Sequence, residues 1–270
     1  MRSDTTNENE ASRRCAAAPL GLVLSSGAAR GAAHVGVLIA LAEAGIEPQV
    51  VVGTSAGALI GGAYAAGLRP EQIADRLATA GWADFGRLRP NRSLAVIETT
   101  ALRANLEWVF SGRAIEELPL RFGAVATDLY SRRPYLISTG DAARAVQASI
   151  AVPGVFPPVR SNGRFLVDGV LSSPLPVWAA LQLGATRTIG VRLRPQREPG
   201  PLSQLQGRLL PPPDDVRPDL EILIDTSGMS GWSARDVPRL VELGAHATRA
   251  ALAGAHREVL TGRGVAGARR

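Results

Sequence analysis

The chain has 270 residues and a formal net charge of +6, and its composition excludes several classes of protein before any motif is considered. Apolar residues make up 46% and charged residues 20%, which is typical of a folded globular protein and excludes disorder along most of the chain. No apolar run reaches the roughly 18 residues that a membrane-spanning helix needs. The length suits one large α/β domain with a sizeable core.

The basic residues and the cysteine count exclude several kinds of catalytic site. All thirty basic residues are arginines, so a Gly-Lys-Ser/Thr phosphate loop, a Schiff-base lysine and a Ser–Lys dyad are impossible. Cys15 is the single cysteine, which excludes an internal disulfide and a cysteine cluster for zinc. We therefore expect no metal and no cofactor.

The distribution of charge along the chain indicates which kinds of partner the protein can bind. The arginines are scattered and no aromatic residues are interleaved with them, which argues against nucleic-acid binding. A basic surface also suits anionic lipid, so we expect peripheral contact with an anionic membrane.

The ends of the chain and one internal stretch are predicted to lie outside the folded core. Residues 1–18 are polar and lack the apolar centre of a signal peptide, which predicts a disordered tail and residence in the cytoplasm, with contact at the inner face of the membrane. The folded domain is predicted to cover residues 19–261. Within it, the proline-rich stretch 195–218 predicts a mobile loop, and residues 262–270 predict a second disordered tail.

Two strand–turn–helix units begin the predicted fold. They comprise a strand at Pro19–Leu24, a small-residue turn at 25–31, a helix at Ala32–Gly45, a strand at Pro48–Val52, a turn at Gly53–Gly57 and a helix at Ala58–Ala66. Two such units in succession predict a parallel sheet covered by helices.

The rest of the chain continues the α/β pattern. Residues 70–120 predict irregularly joined helices that form a lateral cap. Further strands are predicted at 121–127, 133–138, 163–167, 186–193 and 220–224, and further helices at 141–150 and 237–260. Between them, Pro153, Pro157 and Pro158 predict an extended loop.

The candidate nucleophile is Ser55, in Gly53-Thr-Ser-Ala-Gly57. This Gly-x-Ser-x-Gly pattern falls between an apolar strand and a small-residue helix, as in a nucleophile elbow. Such an elbow holds the serine in a strained turn above the sheet, and its glycines let the strand and the helix come close together. The alternative is an ordinary glycine turn with a capping serine.

The base that would activate Ser55 is predicted to be a carboxylate. His246 and His256 both fall within a helical pattern, whereas a triad histidine needs a loop at the carboxyl edge of the sheet. Asp168 ends a short apolar strand and is followed by the turn residue Gly169, so we favour it as the base. Asp128, at the end of the preceding strand, is the rival.

The turn after the first strand is predicted to stabilise an oxyanion. Gly27-Ala-Ala-Arg-Gly31 leads into a helix, whose first backbone N–H groups have no partner within the helix. We expect these N–H groups, and not the side chain of Arg30, to face the reacting oxygen, while Arg30 anchors the turn. The spacing of a dinucleotide-binding turn is absent.

Taken together, these motifs resemble the patatin-like phospholipase family, and in particular its small bacterial single-domain members. The match runs from about Gly21 to Ala251 and also includes His34-Val-Gly-Val-Leu38, Ala148–Phe156 and Val167–Val177. The resemblance implies a three-layer α/β/α sandwich with a mainly parallel central sheet. It also implies a Ser55–Asp168 dyad that cleaves fatty-acyl esters of phospholipids. Oxyanion donors are implied at Gly27, Ala28, Ala29 and Arg30, with Gly31, Gly53, Gly57 and Gly169 supporting the motifs.

The chain departs from the family pattern at two places. The glycines that precede the arginine are here Ser25-Ser-Gly-Ala-Ala, and the Asp-Gly motif continues with Val170. Alanine narrows the allowed range of φ, so a loop residue that needs a positive φ would distort the oxyanion hole.

Three alternatives stay open. The first is an esterase or acyltransferase acting on soluble acyl esters or thioesters. The second is a catalytically weak, lipid-binding regulatory protein, and the third is an α/β-hydrolase triad that uses His246.

Overall fold

The computed structural model describes residues 18–79, 100–194, 216–229 and 234–255. Eight strands lie in these ranges: β1 Leu20–Leu24, β2 Val50–Thr54, β3 Arg121–Asp128, β4 Pro134–Ile137, β5 Val159–Ser161, β6 Arg164–Asp168, β7 Arg187–Arg194 and β8 Leu220–Asp225. The α-helices there are α1 Ala33–Glu43, α2 Ala56–Ala65, α3 Pro70–Thr79, α4 Thr100–Phe110, α5 Ala142–Ser149, α6 Val177–Gln182 and α7 Val237–Gly254. Short 3-10 turns lie at Ala28–Ala32, Ile115–Glu117, Gly169–Leu171 and Ala234–Asp236.

Several predictions concern residues outside the ranges that the structure describes. The tails predicted at 1–18 and 262–270 and the loop predicted at 195–218 lie wholly or almost wholly outside the described residues, as do Cys15 and His256. In the described ranges, no helix is both long enough and apolar enough to cross a membrane.

A single sheet joins all eight strands. Hydrogen-bonded neighbours follow the order β5-β6-β3-β2-β1-β7-β8, and β4 also pairs with β3. The pairs β1–β2, β1–β7, β2–β3 and β7–β8 are parallel, whereas β4, β5 and β6 join through antiparallel pairs. The predicted α/β class with a mainly parallel sheet is therefore confirmed.

Alternate side chains of the central strands pack on opposite faces of the sheet, as strand geometry requires. On β1, Leu22 and Leu24 pack with α1 and α7, while Val23 packs on the other face with residues of α6. On β2, Val51 joins a core with α2, α4 and α5, and its neighbours face α6. Helices thus cover both faces of the sheet, which gives the predicted three layers.

The register of β3 brings the carboxyl ends of two other strands together. Ala124 and Val125 pair with both β2 and β4, and the next two residues pair with both β4 and β6. Because a strand has one neighbour on each side, β2 and β6 lie end to end on the side of β3 opposite β4. Thr54, the last residue of β2, faces Val125, and Asp168, the last residue of β6, faces Ala126.

Three elements differ from the sequence prediction. The strand predicted to end at Val52 continues through Gly53 to Thr54, so the turn is confined to Ser55. Strand β5 begins directly after the prolines that predicted an extended loop, and its three residues are too few to show a period. Helix α6 has six residues and follows Pro176, so it too lacked a helical repeat long enough to predict it.

Candidate active site

Ser55 lies at a sharp turn between β2 and α2 and has φ 55° and ψ −119°. A residue with a side chain in this region is strained by about 1–3 kcal/mol, and such strain is typical of functional turns. The flanking glycines are required by contact between backbones. A Cβ atom on Gly53 would lie 2.2 Å from the carbonyl carbon of Gly57, and one on Gly57 would lie 2.2 Å from the oxygen of Leu24.

The side chain of Ser55 is directed at Asp168. Its hydroxyl donates to Oδ2 of Asp168 at 2.7 Å and makes no capping bond to helix α2. Ser55 is buried but keeps 8% of its surface accessible to solvent. The geometry differs from that of a capping serine, and the oxygen is held in contact with a possible proton acceptor.

Asp168 is fully buried at the end of β6. Its Oδ1 accepts a hydrogen bond from the backbone N–H of Val170 at 2.8 Å, and Oδ2 accepts the bond from Ser55. Burial raises the pKa of this carboxyl group to about 7, and the two hydrogen bonds oppose that rise. A group with this pKa can accept a proton and return it near neutral pH.

The C-terminal end of helix α5 and the residues directly after it hold both members of this pair in place. Ser149 Oγ accepts a hydrogen bond from the backbone N–H of Ser55 at 2.8 Å and donates one to the carbonyl of Val125 at 2.6 Å. Two residues later, the carbonyl of Ala151 accepts a bond from the N–H of Asp168 at 2.9 Å. Sequence reasoning assigned Ser149 no role, although it lies in the Ala148–Phe156 motif.

Gly169 and Gly31 lie at two further places where a side chain would not fit. A Cβ atom on Gly169 would lie 2.1 Å from the oxygen of Val125, and one on Gly31 would lie 2.5 Å from the Cβ atom of Ala56. The second contact brings the 3-10 turn after β1 against the start of helix α2, next to Ser55.

The loop after β1 is tied down at Ser25. Its N–H donates to the carbonyl of Val191, its hydroxyl accepts from the N–H of Leu193, and Nε2 of His34 lies 2.8 Å from its carbonyl oxygen. Because a carbonyl oxygen only accepts, Nε2 of His34 carries the proton. Burial lowers the pKa of His34 to about 4, so the ring is neutral at neutral pH and serves to hold this loop.

Gly27 precedes the 3-10 turn, and Ala28 and Ala29 begin it. The turn closes with a bond from the N–H of Arg30 to the carbonyl of Gly27, so the preceding N–H groups begin a helical turn without partners inside it. Arg30 Nε also lies 3.4 Å from the Gly27 carbonyl, a long contact that links the guanidinium to the loop backbone. The positive φ falls on Ala28, at 51°, whereas Gly27 is extended.

Replacing Ala28 with glycine is expected to stabilise the protein. The left-handed conformation costs an L-residue roughly 1–2 kcal/mol, and part of this gain is lost because glycine makes the unfolded chain more flexible. We expect Ala28→Gly to raise the free energy of unfolding by about 0.5–1 kcal/mol in urea denaturation. The neighbouring Ala29→Gly, which has no positive φ to relieve, is expected to lower it. Equal effects of the two substitutions would contradict this explanation.

A second pair of variants separates the loop backbone from the arginine side chain. A Cβ atom on Gly27 would lie 2.4 Å from Cδ1 of Leu193, so Gly27→Val requires that side chain to move, and its branched side chain beside the loop should strongly lower hydrolysis of a p-nitrophenyl ester. Arg30→Ala removes only a long hydrogen bond and should lower kcat/KM about ten-fold, or about 1.4 kcal/mol. Both are compared on one short-chain ester after circular dichroism confirms folding. An active Gly27→Val beside an inactive Arg30→Ala would assign the oxyanion contact to the side chain.

The rival residues occupy other environments. Oδ2 of Asp128 pairs with Arg164 at 2.5 Å, and Oδ1 accepts from the N–H groups of Tyr130 and Ser131. Burial would raise the pKa of Asp128, but these bonds outweigh burial and lower it. His246 is exposed on α7, while the hydroxyl of Ser55 donates to Asp168. Among the described residues, no group of three or more His, Cys, Asp or Glu side chains could hold a metal ion.

Several known proteins are similar in sequence to about two thirds of this chain. An uncharacterized NTE family protein of Mycobacterium bovis is 37% identical over 176 residues, which cover 64% of this chain and 49% of that protein. Lysophospholipase NTE1 of Mycosarcoma maydis is 33% identical over 66% of this chain and 10% of its own length. Patatin-like phospholipase domain-containing protein 7 of Rattus norvegicus is 32% identical over 64% of this chain and 13% of its own length. The chain thus spans about half the length of the mycobacterial relative.

One solved structure and one family profile complete the comparison. The crystal structure of VipD from Legionella pneumophila matches 87% of this chain and 67% of its own with a TM-score of 0.57 at 16% identity, which shows a shared fold. The profile of the patatin-like phospholipases matches residues 22–181, more than half of the chain, including both Ser55 and Asp168. The chain belongs to the patatin-like phospholipase family.

Proposed function

We propose that this protein is a serine acyl hydrolase that cleaves fatty-acyl esters of phospholipids. The observation that carries the proposal is the 2.7 Å hydrogen bond from Ser55 Oγ to Oδ2 of Asp168, at a strained turn. Family membership supports lipid esters as the substrate class. The names of the fungal and rat relatives, a lysophospholipase and a patatin-like phospholipase, agree with that class.

The chemistry follows from the two side chains. As Ser55 Oγ attacks the acyl carbonyl carbon, its proton passes to Oδ2 of Asp168. The negative charge then moves to the carbonyl oxygen, where backbone N–H groups of Gly27, Ala28 and Ala29 stabilise it, because the N–H of Arg30 is already bonded to the carbonyl of Gly27. Protonated Asp168 gives its proton to the departing alcohol, which leaves an acyl-enzyme. Asp168 next takes a proton from water, the hydroxide attacks the acyl group, and the fatty acid departs as Ser55 regains its proton.

An apolar cavity beside helix α2 supports an acyl chain as the group transferred. The cavity measures about 340 Å³ and lies between helices α2, α3 and α4. Its apolar lining comprises Leu59, Ile60, Ala63, Leu68, Ile73, Leu77, Leu102, Leu106, Trp108 and Val109. Leu59 and Ala63 lie one and two turns beyond Ser55, which places them about 6 and 12 Å from it along the helix axis. An acyl chain bonded to Ser55 would run along this helix into the cavity.

Filling the cavity is expected to shift the preference for acyl-chain length. Ala63 is buried and lines the cavity, so Ala63→Phe puts a ring where the distal part of a long chain would lie. We expect kcat/KM for a p-nitrophenyl ester of a long fatty acid to fall at least ten-fold while that for the butyrate ester changes little. An equal loss on both esters would place the acyl chain elsewhere. Leu181→Phe, on the exposed surface of α6, is the matched control.

Covalent labelling tests the proposed function directly. A fluorophosphonate reacts with activated serines, and peptide mass mapping should find its adduct on Ser55 and none in Ser55→Ala. Release of fatty acid from phospholipid vesicles should accompany labelling. Labelling with hydrolysis of soluble acyl esters or thioesters alone would favour the esterase or acyltransferase alternative. An unlabelled, folded protein would instead favour a lipid-binding protein with little activity.

A further inference from the structure

One edge of the sheet carries a surface that the proposed chemistry does not use. Leu129 and Tyr130 follow β3, Phe165 lies on β6, and Arg160 lies on β5. All four are exposed, with Tyr130 at 77% and Phe165 at 37%. We define these residues as the aromatic–arginine patch.

Strand pairing brings the members of the patch to one face. Phe165 is the cross-strand partner of Arg160, and its carbonyl accepts the N–H of Leu129 at 2.9 Å. Directly paired residues point to the same side of a sheet, so these three side chains form a row. The ring of Tyr130 meets that of Phe165 edge-on, with centroids 5.9 Å apart. Tyr130 and Phe165 therefore form one exposed aromatic pair.

The charge at the patch is positive. Arg160 is exposed, and its guanidinium makes no ion pair with a residue in the described ranges. The carboxylate of Asp128, which lies next to Leu129, is buried and already paired with Arg164. Exposed aromatic rings beside this arginine match the interfacial zone of an anionic bilayer, where rings enter the headgroup layer and arginines meet lipid phosphates.

We propose that the aromatic–arginine patch docks the protein on the surface of anionic phospholipid membranes. The inference rests on the proposed function, because it assigns the membrane that supplies the lipid substrate. Phe165 lies three residues before Asp168 on the same strand, which is about 10 Å along β6. A bilayer in contact with the patch would therefore hold its lipids within reach of Ser55 and Asp168.

Vesicle flotation with the full chain carrying Ser55→Ala tests this proposal without requiring catalysis, so failure of the proposed chemistry leaves the result readable. The protein is mixed with phosphatidylcholine vesicles that contain or lack phosphatidylglycerol. We expect binding to the phosphatidylglycerol vesicles and its loss as salt rises, because charge attraction is screened beyond about 8–10 Å at 0.1–0.15 M salt.

One double variant, one single variant and one matched control locate the binding surface. Tyr130→Ser with Phe165→Ser is expected to weaken binding at least ten-fold, and Arg160→Gln about five-fold. Leu223→Ser with Arg239→Gln removes one exposed apolar and one exposed basic side chain from β8 and α7 and should bind normally. Thermal unfolding checks that every variant is folded.

Three outcomes would overturn the proposal. Equal weakening by the patch and control variants would assign binding to overall charge. Equal binding to both vesicle types at every salt concentration would remove the role of anionic lipid. No binding to either type would leave the patch as a surface for another kind of partner.

Discussion

Ser55→Ala is expected to reduce hydrolysis of a p-nitrophenyl acyl ester by at least about 10⁴-fold while the chain stays folded. The hydroxyl is the atom that would form the acyl-enzyme, and removing a nucleophile of this kind has effects of up to about 10⁶-fold in serine hydrolases. The variant keeps the bond from the backbone N–H of Ser55 to Ser149, so the turn keeps its support. Initial rates and circular dichroism provide the measurement. Activity at the wild-type level would exclude Ser55 as the nucleophile.

Comparison with Ser55→Gly separates catalysis from strain. Both substitutions remove the hydroxyl, but only glycine adopts φ 55° without steric cost. We expect Ser55→Gly to be as inactive as Ser55→Ala and more stable than it by about 1–3 kcal/mol. Ser111, which is exposed and has φ 52°, is the matched control. Ser111→Gly should gain stability and retain activity.

The elbow and the base could be predicted because their signals are local. The glycines on either side of Ser55 and the glycine after Asp168 each mark a turn at the end of an apolar strand, and such turns lie at an edge of the sheet. Asp128 also ends an apolar strand, but Leu129 follows it where Gly169 follows Asp168, so the sequence ranks Asp128 second. Its pairing with Arg164, 36 residues later, depends on the β3–β6 register, which no local pattern encodes.

Features of the site that depend on long-range contacts could not be predicted from the sequence. Ser149 supports Ser55 from 94 residues away through a single side-chain bond, and no periodicity marks such a role. The end-to-end arrangement of β2 and β6 likewise follows from how β4 pairs with β3. The positive φ of the loop falls on Ala28 and not on Gly27, and no local sequence pattern predicts which of the two residues carries it.

Asp168→Asn is expected to abolish most of the activity and, at pH 8, to stabilise the protein. The asparagine keeps an oxygen for the N–H of Val170, and its NH₂ can donate to Ser55 Oγ, so the shape of the site is preserved. It cannot accept the serine proton, which should lower kcat/KM by about 10³–10⁴-fold. His246→Ala should stay active, and a loss of several orders of magnitude there would restore the triad alternative.

The pH dependence of kcat/KM for the wild-type protein should report the ionisation of Asp168. Because burial raises the pKa of Asp168 to about 7, the basic form disappears as pH falls below that value. We expect kcat/KM to rise about ten-fold for each pH unit below about 7 and to level off above it. A profile that is flat from pH 5 to 9 would contradict Asp168 as the base.

Stability should change with pH in the opposite sense to activity. The carboxyl group of Asp168 has an ordinary pKa of 3.8 in the unfolded chain and one of about 7 when folded, so the unfolded state loses its proton first as pH rises. The stability present below about pH 4 is therefore lost as pH rises towards 7, by about 4 kcal/mol in total. The asparagine of Asp168→Asn cannot ionise, so the stability of this variant should not fall as pH rises. The variant should therefore be no more stable than the wild type at pH 4 and clearly more stable at pH 8.

Asp128→Asn provides the matched control with the reverse sign. Its ion pair and hydrogen bonds hold the pKa of Asp128 below the ordinary value, so its carboxylate stabilises the folded state above about pH 4. We therefore expect Asp128→Asn to destabilise the protein at pH 8 and to leave the bond between Ser55 and Asp168 in place. Urea denaturation of the three proteins at pH 4 and pH 8 measures both effects. If both substitutions changed stability in the same direction at pH 8, the ionised carboxylate of Asp168 would not destabilise the folded state. Its raised pKa, on which its role as a base near neutral pH depends, would then be contradicted.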